Sequence, residues 1–251
     1  MALAAIQVFP LSGLPEIKPG DDLARLIVEA AQNADFVVAA QDVFVVAQKV
    51  VSKAEGRIVK LDTISPSERA VQWAREWGKD PRLVELVLKE SKRIVRMAQG
   101  VIISETKHGF VCANAGVDVS NAEVGTAILL PADPDRAARA LLDRLEKIYS
   151  APLGVIIADT FGRPWREGLV NVALGVAGLA PLRDYRGKTD AGGKTLQATV
   201  IAVADELASA AELVMGKADG IPLAVIRGAQ LAFGSGVGRD LIRPAEKDLF
   251  R

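Results

Sequence analysis

The sequence predicts an α+β fold in which helices and strands are mixed along the chain. Short Val- and Ile-rich runs alternate with stretches of helical periodicity, Asp-Pro and Ser-Pro start signals precede several of those stretches, and no internal repeat or low-complexity tract interrupts them. At 251 residues the chain could be one large domain or two small intertwined ones, and is read as a single ligase-sized unit over 1–251, because one core stops growing near roughly 250 to 300 residues.

Taken in order, Ile6 to Phe9 reads as a strand and Asp21 to Asn33 as an amphipathic helix. Asp42 to Val51 is apolar on both faces and predicts a buried strand. Ser65-Pro66-Ser67-Glu68 predicts a helix start, with Ser65 as cap, Pro66 in the first turn and Glu68 closing a capping box. Asp80-Pro81 and Asp133-Pro134 repeat the start signal for helices reaching Arg93 and Tyr149, the second of which could separate two lobes. Val101 to Ser104, Gly154 to Ala158, Thr199 to Val203 and Leu223 to Arg227 complete the strands, and Ala-rich Asp205 to Lys217 the helices.

Composition excludes several classes. Lys plus Arg and Asp plus Glu are both 31, so no net field favours nucleic acid or an anionic membrane, and any anion site must be local. Cys112 is the sole cysteine, which excludes an intrachain disulfide and a multi-cysteine metal site, and fits a reducing cytoplasm. The start lacks a basic region before its apolar residues and meets Pro10, so no signal peptide is expected. The run Leu169 to Leu182 is broken by Asn171 and Pro181 and falls short of the ~20 residues of a spanning helix. A soluble, cytoplasmic protein is expected.

Three motifs mislead. Gly193-Lys194-Thr195 resembles a phosphate loop, but the first glycine would fall at Lys188 and no buried strand precedes it. Gly234-Ser235-Gly236-Val237-Gly238 resembles a dinucleotide fingerprint with no room for a βαβ unit behind it, and reads better as a mobile loop. No Rossmann or P-loop unit is therefore predicted. His108, the single histidine, beside Lys107 and Gly109, reads as a turn residue rather than a general base.

Chemistry concentrates elsewhere. Asp159 ends the apolar run Gly154 to Ala158, at the carboxyl edge of a buried strand, where ligand crevices of α/β sheets form. Thr160 to Gly168 then adds a hydroxyl, Arg163, Arg166 and two glycines. This set can hold a hard cation and fork onto phosphate or carboxylate, the alternative being a capped turn with surface arginines. Asn114 to Asn121 is a second such segment, in which Asp118 could ligate the same metal and Asn121 could meet a purine or ribose, against a plain Asx-turn. Lys53, leaving the apolar Val50-Val51 end of a strand, could reach phosphate or be an exposed strand-end lysine. Two carboxylates, a hydroxyl, a lysine and paired arginines without a phosphate loop indicate a metal-nucleotide site of unusual fold. They leave the acceptor open.

At these residues the chain resembles the coenzyme F420-0:L-glutamate ligase family, the coenzyme F420 gamma-glutamyl ligases. The resemblance runs through Pro10 to Gly20, Val50 to Arg57, Asn114 to Asn121, Asp159 to Gly168, Ala204 to Lys217 and Gly220 to Gly228. It implies two intertwined lobes with mixed sheets and a homodimer with the nucleotide site near the subunit interface. It further implies GTP-dependent addition of L-glutamate to the lactyl carboxylate of coenzyme F420-0, then to γ-carboxylates, through an acyl phosphate, releasing GDP and phosphate. By the same resemblance Asp118, Asp159 and Thr160 would bind Mg or Mn, with a monovalent cation such as K as a further candidate. Asp159, Arg163 and Arg166 would act in catalysis. Ser12, Gly13, Leu14, Pro15, Gln48, Lys49, Lys53, Asn121, Met215, Gly216, Lys217 and Asp219 would line the GTP site. Archaeal relatives carry an acid, a further metal ligand, after the Met-Gly where this chain has Lys217, so no metal contact is expected there. The sequence stops where some relatives continue into a reductase-like domain, so a stand-alone ligase is expected. Rival readings are an acyl-phosphate ligase for another carboxylate and a catalytically idle nucleotide-binding regulator, the latter disfavoured by the cost of holding Asp118 and Asp159 near phosphate.

Overall fold

A computed structural model describes residues 5–249; residues 1–4, on which the reading of the start partly rests, and the terminal pair 250–251 lie outside them. The described residues form the α+β fold expected. In chain order the elements are β1 (Gln7–Pro10), α1 (Leu23–Asn33), β2 (Val43–Ala47), α2 (Gln48–Ala54), β3 (Ile58–Lys60), α3 (Glu68–Trp77) and α4 (Pro81–Glu90). They continue with β4 (Ser91–Ala98), β5 (Val101–Thr106), β6 (Val111–Ala113), β7 (Thr126–Ile128), α5 (Pro134–Tyr149) and β8 (Gly154–Arg163). The last are β9 (Arg166–Ala177), β10 (Arg183–Asp184), β11 (Val200–Ile201), α6 (Val203–Met215) and β12 (Leu223–Arg227).

The central sheet has the order β1-β12-β2-β8-β9 and is mixed: β2 and β8 pair in parallel, from Val43 opposite Gly154 to Ala47 opposite Ala158, and every other neighbour is antiparallel. Strand alternation explains its two buried faces. Phe44, Val46, Val155 and Ile157 point to one side, where they pack with Leu26 and Ile27 of α1 and Leu141, Leu142 and Leu145 of α5. Val43, Val45 and Ile156 point to the other, against Leu207, Ala208 and Ala211 of α6, whose small side chains let the helix lie close to the strands.

Parallel neighbours need a crossover, and here the crossover from β2 to β8 carries a second lobe. It contains the three-stranded sheet β4-β5-β6, the β3-β7 pair and helices α3 and α4, built around Trp73, Val84, Val87 and Ile102. The chain leaves the first lobe at α2 and returns to it at α5.

Several boundaries differ from expectation. Asp42 to Val51 is not one strand: β2 ends at Ala47 and α2 begins at Gln48, whose Oε1 accepts a bond from Ser52 Oγ at 2.9 Å. Lys53 therefore leaves a helix, not a strand. The cap of α3 is Ser67 rather than Ser65; its Oγ accepts from the Ala70 amide at 3.3 Å. Glu85 of α4, not Glu68, accepts from the Ser67 amide at 2.9 Å, doing across two helices what a capping box does within one. Asp80 and Pro81 start α4 as predicted, but it stops at Glu90 because Ser91 onward pairs with β5. Thr199 to Val203 contributes just Val200–Ile201, and α6 runs Val203–Met215 instead of Asp205 to Lys217. Gly154 to Ala158 extends to Arg163, because Thr160 to Gly162 pair with Leu169 to Asn171 of β9.

The misleading motifs behave as structural parts. Gly193 to Thr195 lies in an exposed turn held by Asp190, which accepts from the Gly192 and Lys194 amides at 2.9 and 2.8 Å. The glycine run near the end is pinned rather than mobile. A Cβ on Gly236 would meet Leu179 O at 2.5 Å, and the Gly238 amide donates to Asp135 Oδ1 at 2.6 Å. His108 sits in the β5-β6 turn with Nε2 2.9 Å from Pro131 O. No helix among the described residues is long and apolar enough to cross a membrane.

Candidate active site

Where the parallel pairing of β2 and β8 ends, at Ala47 opposite Ala158, the two chains part and open a cavity of about 780 Å³, a volume suited to a nucleotide-sized ligand. This is the crevice beyond the carboxyl ends of strands. From β2 the chain turns into Gln48 and Lys49; from β8 it continues as Asp159 and Thr160, so four polar side chains reach one opening. Asp159 thus lies just past the parallel pairing but inside a longer strand.

The segment from Asn114 closes the opposite wall. Asn114, Ala115 and Gly116 all have positive φ (53°, 51° and 70°), and this left-handed stretch carries the chain back over the cavity to Asp118. Asp118 forms the Asx-turn foreseen as its plainer role, accepting from the Ser120 amide at 2.7 Å and from Ser120 Oγ at 2.9 Å. It also lines the cavity and pairs with Lys49 Nζ at 2.7 Å. Turn residue and cavity-lining residue are one.

The two carboxyls are in contrasting states. Burial pushes Asp159 up to about 6; the Thr160 amide draws it down, and the nearby Asp118 charge pushes it up again. Burial also pushes Asp118 up, but Lys49 and Ser120 outweigh it and hold that carboxyl below the usual range. Cys112 lines the same cavity and, buried beside the Asp159 charge, is pushed up to about 12, which makes it inert as a nucleophile at neutral pH.

A third wall comes from α6. Helix α6 ends at Gly216, with φ 61° and ψ −178°, a backbone region essentially reserved for glycine. That turn swings Lys217 back across the cavity, where Nζ bonds Thr160 Oγ1 and lies 3.4 Å from Asn171 Oδ1. Asn171, on β9 opposite Thr160, accepts from Thr160 Oγ1 at 2.7 Å and is buried.

Of the residues expected at the site, Asp118, Asp159, Thr160, Leu14, Pro15, Gln48, Lys49, Lys53, Asn121, Met215, Gly216 and Lys217 line this one cavity. Lys53 pairs with Glu16 at 2.5 Å. Ser12, Gly13 and Asp219 do not line it. Nor do Arg163 and Arg166, which sit at the β8-β9 turn, Arg163 Nη2 donating to Glu167 O at 2.6 Å. Asn171, Ser120 and Glu16 were not singled out. For Asn171 the signal was present as a lone amide interrupting an apolar run; the other two look like ordinary surface residues until the chain is folded.

The F420-0:gamma-glutamyl ligase family model matches residues 13–228. Relatives named coenzyme F420:L-glutamate ligase are similar over nearly the whole chain. That of Methanothermobacter thermautotrophicus is 48% identical over 98% of this chain and 99% of its own. Those of Methanocaldococcus jannaschii and Methanopyrus kandleri are both 47% identical, covering 95% and 99% of this chain and 94% and 99% of theirs. With most of its length matched by the family model and nearly all of it aligned to these relatives, the chain belongs to the F420-0:gamma-glutamyl ligase family.

Proposed function

We propose that this protein joins L-glutamate by its amine to the lactyl carboxylate of coenzyme F420-0, and then to γ-carboxylates of added glutamates, at the expense of GTP. The observation that carries the reading is a single cavity lined by three carboxylates (Glu16, Asp118 and Asp159), two hydroxyls (Ser120 and Thr160) and three lysines (Lys49, Lys53 and Lys217) at the carboxyl ends of parallel strands. The names of the relatives supply the acceptor and the amino acid.

The residues present fit a divalent cation such as Mg or Mn. Among the described residues no group of three or more His, Cys, Asp or Glu side chains could hold a metal alone. Mg, however, is usually held by one or two carboxylates plus substrate phosphates. Asp159 and Asp118 supply hard oxygen donors, and the push that the Asp118 charge exerts on the buried Asp159 carboxyl is what a cation would relieve. When bound between Asp118, Asp159 and Thr160, the ion would offset charge on the phosphate oxygens. A monovalent cation such as K would have to draw on the same wall.

The chain's own side chains position the reactants. Lys49 and Lys53 attract phosphate, Asn121 offers an amide to the purine, and Leu14 and Pro15 cover its face. In the chemical step an oxygen of the acceptor carboxylate attacks the γ-phosphorus and GDP departs. The glutamate amine then attacks the acyl carbon, losing a proton, and phosphate departs. Arg163 and Arg166 stand at the tip of a hairpin that exposes Trp165 and Leu169 (80% and 66%). That exposure supports a homodimer in which the tip meets a second subunit.

Trapping tests this reading. With GTP, Mn and coenzyme F420-0 but no glutamate, hydroxylamine should give the hydroxamate of the acceptor, and ATP should support it poorly. Failure to form any hydroxamate, or equal yields with ATP and GTP at matched subsaturating concentration, would count against the acyl-phosphate route or the nucleotide choice respectively.

A further inference from the structure

Past Asp159 and Thr160 one wall of the cavity is the β8-β9 hairpin. Phe161, Gly162 and Leu169 line the cavity there, Gly162 and Leu169 as register partners. Phe161 is braced from the second lobe by Phe110, whose ring meets it edge-on with centroids 6.4 Å apart. This stretch of wall is uncharged. The charge comes one residue farther out, at Arg163.

Arg163 and Arg166 are direct register partners, with just Pro164 and Trp165 between them at the turn. Like charges placed opposite one another on paired strands repel, and among the described residues neither arginine forms an ion pair. Arg163 Nη2 donates to Glu167 O at 2.6 Å, a backbone carbonyl that leaves the charge uncompensated. Arg163 Nε is buried and has no acceptor among the described residues, a condition that folded proteins seldom leave unanswered. Gly168 places no side chain against the guanidinium; a Cβ there would touch Nη2 at 3.6 Å. Two uncompensated guanidiniums and a buried unused donor, at the end of a wall that begins at Asp159, make a position for an anion that enters with the acceptor.

Spacing says which acceptor. Arg163 lies about 13 Å beyond Asp159 if four residues of extended strand separate them. In coenzyme F420-0 the phosphodiester follows directly on the lactyl group whose carboxylate reacts, too close to it to span that interval. A γ-linked glutamate moves the phosphodiester outward and adds a free α-carboxylate behind the reacting γ-carboxylate. We propose that Arg163, with Arg166 opposite it, binds the anionic groups that trail the reacting carboxylate of an acceptor already carrying glutamate, and so governs addition beyond the first residue. Arg163 is thereby a specificity residue for acceptor length. This rests on the ligase reading given above.

Separate kinetics with the two acceptors test it. Initial rates are measured for the full-length wild type, Arg163→Met and Arg163→Lys with GTP, Mn and L-glutamate, using either coenzyme F420-0 or its monoglutamyl form. Arg163→Met should raise KM for the monoglutamyl acceptor about tenfold, the loss expected of one charge-assisted hydrogen bond, with kcat little changed. KM for coenzyme F420-0 should stay nearly as it was, and Arg163→Lys should recover most of the loss. Unchanged thermal midpoints will verify folding; should Arg163→Met melt lower, Arg166→Met, at the exposed position opposite, carries the same comparison. Equal changes in KM for the two acceptors, no change for either, or a wild type that extends coenzyme F420-0 alone would overturn the assignment and leave the ligase reading intact. A folded wild type that extends neither acceptor would overturn both.

Discussion

Asp159 is a buried carboxyl held well above the usual carboxylate range. With its pKa pushed to about 6 by burial and by Asp118, the folded chain holds a proton there that the unfolded chain has already released between about pH 4 and pH 6. The unfolded state binds fewer protons in that window, so stability falls as pH rises through it. With divalent ions chelated, the thermal midpoint of Asp159→Asn should therefore rise relative to that of the wild type between about pH 4 and pH 6, leaving the variant a few degrees higher at neutral pH. The same variant should lose on the order of a hundredfold or more in ligation rate, roughly 3 kcal/mol, because an amide cannot replace the anionic ligand. A merely structural aspartate would give the opposite pair, near-normal turnover and a lower midpoint. Asp159 and Thr160 stood out in the sequence because a carboxylate and hydroxyl following an apolar run is a local pattern, whereas Gln48, Lys49 and the Met215 to Lys217 turn were expected through the family resemblance alone. Asn171 showed only as a lone amide interrupting an apolar run, and its pairing with Thr160 follows from the hairpin register of β8 and β9.

Elements aim these groups, and the sequence revealed elements better than their ends. The helices begun by Asp80 and Asp133 were readable because their caps are local, each aspartate accepting from an amide two or three residues ahead, and α1 by its amphipathic period. The change from β2 to α2 was hidden because Val50 and Val51 continue the apolar run across it, and a seven-residue helix is too short to impose its own period. The expected α4, ending at Arg93, reaches three residues into strand β4, because the charged Lys92 and Arg93 give no strand signal of their own. Element ends matter most at α6. Its exit through Gly216 determines where Lys217 points, and a Cβ there would lie 2.1 Å from Asp219 Oδ2. Gly216→Ala should cost about 1 to 3 kcal/mol. By displacing Lys217 it should also weaken GTP-analogue binding, whereas Ala at the exposed Gly187, also at positive φ, should strain only its own turn. Chemical denaturation and analogue titration of both variants measure the difference; equal nucleotide affinity in the two would separate the α6 exit from the site.

At the level of the complete chain, the α+β class followed from alternating patterns, while the architecture did not. The parallel pairing of β2 with β8 joins residues more than a hundred positions apart, and the second lobe between them supplies Asp118 to a crevice otherwise built by the first. Such long-range closure has no signature in composition or periodicity; the resemblance of separated motifs to one family reached it where spacing could not. The account makes the crevice a single ligase site to which both lobes contribute. Mass spectrometry of the product from purified protein, coenzyme F420-0, L-glutamate, GTP and Mn or Mg tests this most directly. The account predicts a species heavier by one or more glutamyl residues, formed with one phosphate released per residue added and lost in Asp159→Asn. Recovery of unmodified coenzyme F420-0 from an active, folded, nucleotide-bound protein would contradict it.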